Sequence, residues 1–174
     1  LDIIDGLLDE YDAEVIAKAK SNTLGEIDLK NHLDIDVVET DLGDRILQLK
    51  KIDNKPVHPT GPASHLNIDD ITGIVNESLD VNVNPDAHEI MQAVRADVLK
   101  RLESARVGIS GANAIASEEG SCVMVHNEGN ISIVSLKDLH IIVAGIDKIV
   151  PSLEDAISVV KLETVFATGN FVTS

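Results

Sequence analysis

Over the first twenty residues, apolar positions fall at Ile3, Ile4, Leu7, Leu8, Tyr11, Val15 and Ile16, with acidic residues between them. That spacing is close to the helical period and predicts an amphipathic helix over 1–20. Ser21, Asn22 and Thr23 break the pattern, and 24–33 resumes helical spacing through Ile27 and Leu29. The stretch 35–40 is β-branched and apolar, as a strand buried on both faces would be, and Thr40, Asp41 and Gly43 close it. A second short apolar run, 46–49, precedes a turn at 53–56. Residues 58–65 (HPTGPASH) hold two prolines and a glycine, which predicts an ordered loop with no ladder of its own.

Residues 68–79 read as a helix, and a longer one is predicted over 85–105. Asn84 is its N-cap and Pro85 its first position, with Asp86 and Glu89 at the positive end and Lys100 and Arg101 at the negative end. Its apolar stripe is Ile90, Met91, Val94, Val98 and Leu102. The apolar runs 107–110 and 140–145 predict neighbouring buried strands of one sheet, with the 85–105 helix packed on it. Between them, 121–126 and 131–136 read as a hairpin around the four-residue loop 127–130. Pro151 and Ser152 open a last helix through Ile157, Val160 and Phe166, with Ser152 as N-cap and Asp155 at the third position. Helices alternating with buried strands, plus one hairpin, imply an α/β fold with a mixed sheet, and 174 residues suit a single domain.

Composition narrows the function classes. Hydrophobic residues make up 44% but aromatics only 2%, so Ile, Leu, Val and Ala must build the core. Thirty acidic against fourteen basic residues give a net charge of -16, a field that repels nucleic acid and anionic membrane surfaces. The single cysteine, Cys122, excludes an internal disulfide and any cysteine-clustered metal site made by this chain alone. No long apolar run and no signal-like segment occur, so the expectation is a cytoplasmic protein without membrane insertion. The chain opens at Leu1 without Met and stops at Ser174, which reads as a piece of a longer polypeptide.

Candidate chemistry concentrates in 108–130, GISGANAIASEEGSCVMVHNEGN, which holds four glycines, three asparagines and three glutamates between apolar runs. In open α/β sheets, ligands bind at the carboxyl ends of strands. Thr40 and Asp41, residues 111–113, residues 126–130, and Asp147 with Lys148 all fall just after predicted strands. Asn113, Glu118, Asn127 and Asn130 are therefore expected around one concave site, with Lys20, Asp41 and His65 near its rim. Glu118 and Glu119 are adjacent and cannot face each other across a substrate. One of them serves as base, nucleophile or orienting group, or else both are capping or exposed carboxylates. His58 and His65 lack the i, i+4 spacing of a helical zinc pair, so no metal site is expected. Gly108, Gly111 and Gly120 do not form a dinucleotide fingerprint, there is no phosphate loop, and Ser110 and Ser121 lack a G-x-S-x-G frame.

Several motifs together resemble a known family. Residues 108–113 (GISGAN), 117–121 (SEEGS), 127–130 (NEGN) and 140–156 (HIIVAGIDKIVPSLEDA) follow the pattern of the lactate-utilization (LUD) domain. Lys20 with Ser21, residues 39–43 (ETDLG), and His58, Pro62 and His65 are similar to its upstream segments. The closest likeness is to the LUD domains of iron–sulfur subunits in lactate-oxidising complexes. The resemblance implies a three-layer α/β/α fold with a mixed, mostly parallel sheet, akin to sugar-phosphate isomerases and coenzyme A transferases. It implies a role in oxidising L-lactate to pyruvate as a substrate-binding or scaffold domain, alongside other subunits of a complex. Under it, Lys20, Asp41, His65, Gly111, Asn113, Gly120, Ser121, Asn127, Gly129, Asn130 and Lys148 bind a small organic acid, and Glu118 is the catalytic candidate. It places [4Fe–4S] clusters in a ferredoxin-like region beyond Ser174, with no cofactor in residues 1–174. Ser117 and Glu119 depart from the family's alanine and threonine. Two other readings stand beside this one: an acyl or coenzyme A transferase-like enzyme with Glu118 as nucleophile, since S-E-E-G is similar to that group's S-E-N-G, and a structural docking module.

Overall fold

The computed structural model describes residues 1–51, 63–126 and 129–169. The chain runs α1 (Asp2–Glu10), β1 (Val15–Lys18), α2 (Asn22–Glu26), α3 (Leu29–His32), β2 (Asp36–Glu39), α4 (Leu42–Leu49), α5 (Ile68–Leu79) and α6 (Ala87–Leu102). It continues through β3 (Val107–Ser110), β4 (Ala114–Ala116), β5 (Ser121–Val123), α7 (Asn130–Ser135) and β6 (Leu139–Ile142). A 3₁₀ turn (Ile146–Lys148), β7 (Ile149–Val150) and α8 (Leu153–Thr168) complete it.

Strands β2, β1, β3 and β6 form a parallel sheet in that order. Alternation along each strand sends side chains to opposite faces, and both faces are covered. On one, Ile16, Val37, Val107 and Ile109 meet Leu8 of α1, Leu24 of α2 and Leu29 of α3. On the other, Ala17, Ala19 and Val38 meet Ile46 of α4, Val75 of α5, Val134 of α7 and the Ile90, Val94, Val98 and Leu102 stripe of α6. This is the expected three-layer α/β/α arrangement, built almost without aromatic residues. Gly108 shows how tightly α7 seats: a Cβ there would lie 2.2 Å from the Val134 carbonyl oxygen. A second, small sheet of β5, β4 and β7 packs on α8 through Ala114, Ala116 and Ala156.

The expected β3–β6 neighbours are paired in register, Val107 with Leu139 through Ser110 with Ile142. As the edge strand, β6 is half-buried rather than buried, and it stops at Ile142. The helices over 68–79 and after Ser152 appear as read, each with a capping box, Asn67 with Asp70 and Ser152 with Asp155.

Other expectations change. The helix over 1–20 stops at Glu10, Asp12 takes a left-handed φ of 46°, and Val15 and Ile16 enter β1. Buried strand residues had continued the helical spacing by coincidence. The 24–33 helix is interrupted by left-handed Asp28. The run 46–49 belongs to α4, capped by Asp41. Asp86, not Asn84, caps α6, since its carboxylate accepts from the amides of both His88 and Glu89. The 121–126/131–136 hairpin does not form. β5 pairs instead with β4 (Ala114 opposite Val123), and 130–135 is helical because Val134 is fully buried against β3. There tertiary packing outweighs β-propensity.

Candidate functional site

Because the four main strands are parallel, their carboxyl ends share one edge. The chain passes from β1 outward to β2 and then returns to β3 on the other side of β1, so strand order reverses between β1 and β3. Such a reversal opens a crevice where ligands bind in open α/β sheets. Lys20 and Ser21 follow β1 there, and Gly111 follows β3. A Cβ on Gly111 would stand 2.6 Å from Ser21 Oγ. Only glycine lets the two segments close the crevice floor while Ser21 Oγ accepts the Leu24 amide at 3.3 Å.

Charges gather beside this floor. Lys18 Nζ donates to both oxygens of Glu39 at 3.0 and 2.9 Å. Lys18 and Glu39 are register partners on adjacent strands, and their side chains are only 9% and 5% exposed. Thr40 Oγ1 donates to the Lys18 carbonyl at 3.0 Å. Lys20 Nζ lies 4.0 Å from Asp41 Oδ2, beyond hydrogen-bond length, so its ammonium protons remain available. Asp41 Oδ1 accepts the Asp44 amide at 3.1 Å. Burial, then the carboxylates of Glu39 and Asp41, push the Asp44 carboxyl up to about 6.

A pair that the sequence reading did not identify adjoins the edge, buried Ser110 with half-buried His140. Ser110 Oγ lies 2.7 Å from His140 Nε2 and 3.1 Å from the Gly111 carbonyl. One hydroxyl proton and one imidazole proton satisfy both contacts. Burial lowers the His140 pKa, which favours the neutral ring. The signal was available in register: His140 sits opposite Gly108, two residues before Ser110.

Most of the remaining expected residues have partners of their own. Asn113 Nδ2 donates to Glu163 Oε2 at 2.8 Å, and its Oδ1 accepts the Val125 amide at 2.9 Å. Lys148 Nζ donates to the other Glu163 oxygen at 3.1 Å, so Asn113 and Lys148 meet through α8. Glu118 stands exposed in the β4–β5 turn, its amide donating to the Pro151 carbonyl at 3.0 Å. Glu119 accepts the Leu153 amide at 3.0 Å. Gly120 takes φ 62° in the same turn, and Ser121 opens β5 half-buried. Gly129, at φ 75°, precedes α7 and donates to His126 Nδ1 at 3.2 Å. Asn130 Oδ1 accepts the Ile131 amide at 2.9 Å. His65 is exposed in the turn before α5. Asn127, His58 and Pro62 lie outside the described residues. Among the described residues no hydrogen bond or ion pair joins Glu118 to Asn113 or Asn130; each has its own partners. Of these, Asn130 lines a cavity of about 290 Å³, together with Thr40 at the end of β2 and Arg95 of α6. Among the described residues, no three His, Cys, Asp or Glu side chains group as metal ligands, and no helix is long and apolar enough to cross a membrane.

Residues 2–174 match the family model described as LUD domain. The chain is 37% identical over 169 residues to "Lactate utilization protein B" of Geobacillus thermodenitrificans, covering 95% of this chain and 35% of that protein. It is 35% identical over 175 residues to the Bacillus subtilis protein of the same name, covering 98% and 36%. The Geobacillus kaustophilus protein, also so named, is 36% identical over 169 residues, covering 95% and 35%. The chain thus spans about a third of the length of these curated relatives. No solved structure matches it.

Proposed function

Since the chain belongs to the LUD domain family, we propose that it is the substrate-binding domain of a lactate-utilization protein, holding a small 2-hydroxy acid at the carboxyl edge of its parallel sheet. The observation that carries this reading is the close approach of Ser21, next to Lys20 in the chain, to Gly111 where strand order reverses. Lys18 is consumed by Glu39, so Lys20 is the local ammonium left to offset a net charge of -16 that opposes any anion. In this reading Lys20 takes the carboxylate of the acid, and Asp41 accepts a hydrogen bond from its hydroxyl. Oxidation of lactate to pyruvate removes two electrons, which side chains do not accept. The acceptor proposed is iron–sulfur clusters held by other segments of the full protein. A cluster takes about four thiolates, and Cys122, exposed on β5, supplies one. No redox step is therefore assigned to these residues.

A second reading, a docking module for partner subunits, is favoured by the side of α8 that carries Leu162 and Phe166 one turn apart, both exposed, Phe166 to 87%. The transferase reading is weaker, because no hydrogen bond or ion pair of the Glu118 side chain occurs among the described residues to align it as a nucleophile.

Titrating ¹⁵N-labelled chain with L-lactate, D-lactate and pyruvate tests the proposal. Shifts should concentrate at Lys20, Ser21, Asp41 and Gly111, and Lys20→Met should abolish them. Absence of shifts at that edge, or shifts confined to α8, would transfer the assignment to the docking reading.

A further inference from the structure

The cavity between α4, α6 and α7 carries chemistry of its own. Helix α6 buries Ile90, Val94, Val98 and Leu102 against the sheet, yet an adjacent stripe one residue on, Met91, Arg95 and Leu99, turns to the cavity. Met91 and Leu99 remain 39% and 43% exposed, although both are apolar. Arg95 lies between them, one turn from each. Its helical neighbours at i±3 and i±4 are Met91, Gln92, Val98 and Leu99, none of which can pair with it. Of the four arginines, Arg45, Arg101 and Arg106 each hold a carboxylate, from Asp97, from Asp36 and Asp97, and from Asp138. Arg95 holds none among the described residues, in a chain with thirty acidic ones. Across the cavity, Asn130 commits its Oδ1 to the Ile131 amide, which leaves its amide protons as donors.

We propose that this cavity binds an organic monocarboxylate with a branched aliphatic body. Arg95 and the Asn130 amide take the carboxylate, while Leu42, Leu99 and Ile133 surround the body. An apolar pocket with a few convergent polar groups is the usual form of a small-molecule site. At ~30 Å³ for each water-sized group, 290 Å³ accommodates roughly ten non-hydrogen atoms, more than lactate supplies. A single guanidinium suits a monoanion, whereas a phosphate dianion calls for more donors. Thr40 lines this cavity while Asp41, the next residue, belongs to the edge bearing Lys20, so the two sites adjoin without sharing a charged group.

Calorimetry and amide-shift titrations on the intact chain test the proposal, with 4-methylpentanoate, its uncharged amide, acetate and inorganic phosphate as probes. 4-Methylpentanoate should bind at least tenfold more tightly than acetate, given ~0.8 kcal/mol per buried methylene, and should shift Arg95, Leu99, Asn130 and Ile133. Arg95→Gln should weaken the acid at least tenfold and leave 4-methylpentanamide unchanged, with the melting temperature unaltered because Arg95 is exposed. Equal affinity for acetate and 4-methylpentanoate, competition by phosphate at equal concentration, or indifference to Arg95→Gln each overturns it. The L-lactate shifts at Lys20 should survive Arg95→Gln, so a failure here is distinguishable from a failure of the lactate reading.

Discussion

Replacing Gly108 by alanine tests whether β3 and α7 meet as closely as described. The new Cβ would sit 2.2 Å from the Val134 carbonyl oxygen and 2.8 Å from its Cγ1. The nearer atom belongs to the backbone of a helix, so it cannot rotate aside, and α7 must withdraw by about 1 Å to restore a normal contact. Overpacking of this kind costs ~1–3 kcal/mol. Withdrawal also loosens Val134, which is fully buried and whose side chain is worth ~1.5–3 kcal/mol. The lower entropy of an unfolded alanine returns ~0.4–1 kcal/mol. The net is a loss of about 3 kcal/mol, or a urea midpoint lower by roughly 1–1.5 M at a slope of ~2–3 kcal/mol/M. Val134→Ala should not rescue the variant, since the closest clash is with a carbonyl. Gly73→Ala in α5, where nothing lies within 4 Å, should instead stabilise by up to ~1 kcal/mol. A Gly108→Ala midpoint within 0.2 M of the parent, on that same scale of roughly 1 M, or rescue by Val134→Ala, would refute the packing argument.

Lys18→Met should destabilise by ~3–5 kcal/mol by leaving Glu39 buried and unpaired, and adding Glu39→Leu should recover most of it, as read by chemical denaturation. An Asp44 carboxyl at about 6, above its unfolded value, binds its proton more tightly when folded. Its contribution is therefore present at low pH and lost as pH rises through 6. Asp44→Asn should match the parent at pH 4 and exceed it at pH 7 by ~1 kcal/mol after discounting for solvent screening, and parallel pH profiles would contradict that assignment. His140, lowered by burial, should titrate below 6.5 by NMR. Glu118→Gln, in its exposed turn, should leave both fold and lactate shifts unchanged, and an altered titration would return Glu118 to the site.

The parts legible in the sequence were those in which local chemistry and burial agree. The Ser152 and Asp155 pair announces α8, and the apolar runs at 107–110 and 140–145 announce β3 and β6. Misreadings arose where short elements borrow the periodicity of their neighbours. Val15 and Ile16 extend the spacing of α1 although they belong to the sheet, and residues 131–135 are β-prone yet helical. At the proposed carboxyl edge, Asp41 and Gly111 were legible because they follow apolar runs read as strands, whereas Lys20, read inside a helix over 1–20, was marked by the family resemblance of Lys20 with Ser21. Arg95, which lines the separate cavity beside α6, was not singled out, because nothing within α6 marks a lone arginine until the tertiary fold shows which side it faces. The partner that Asn113 and Lys148 share, Glu163, was not legible, because it lies fifty residues from Asn113 on α8.

The small sheet has a dynamic consequence. Its fully buried side chains are the alanines at 114, 116 and 156, ringed by half-buried Val123, Val150 and Val159, whereas β1 and β3 are sealed by Ile, Leu and Val on both faces. A core of methyl groups resists opening far less than one of branched side chains, so β4, β5, β7 and α8 form a separate cooperative unit. Its amides exchange with solvent at a lower free energy than those of β1 and β3. The molecule thus keeps two clocks, a slow one that holds Ser21 against Gly111 and a faster one for the turn that carries Glu118.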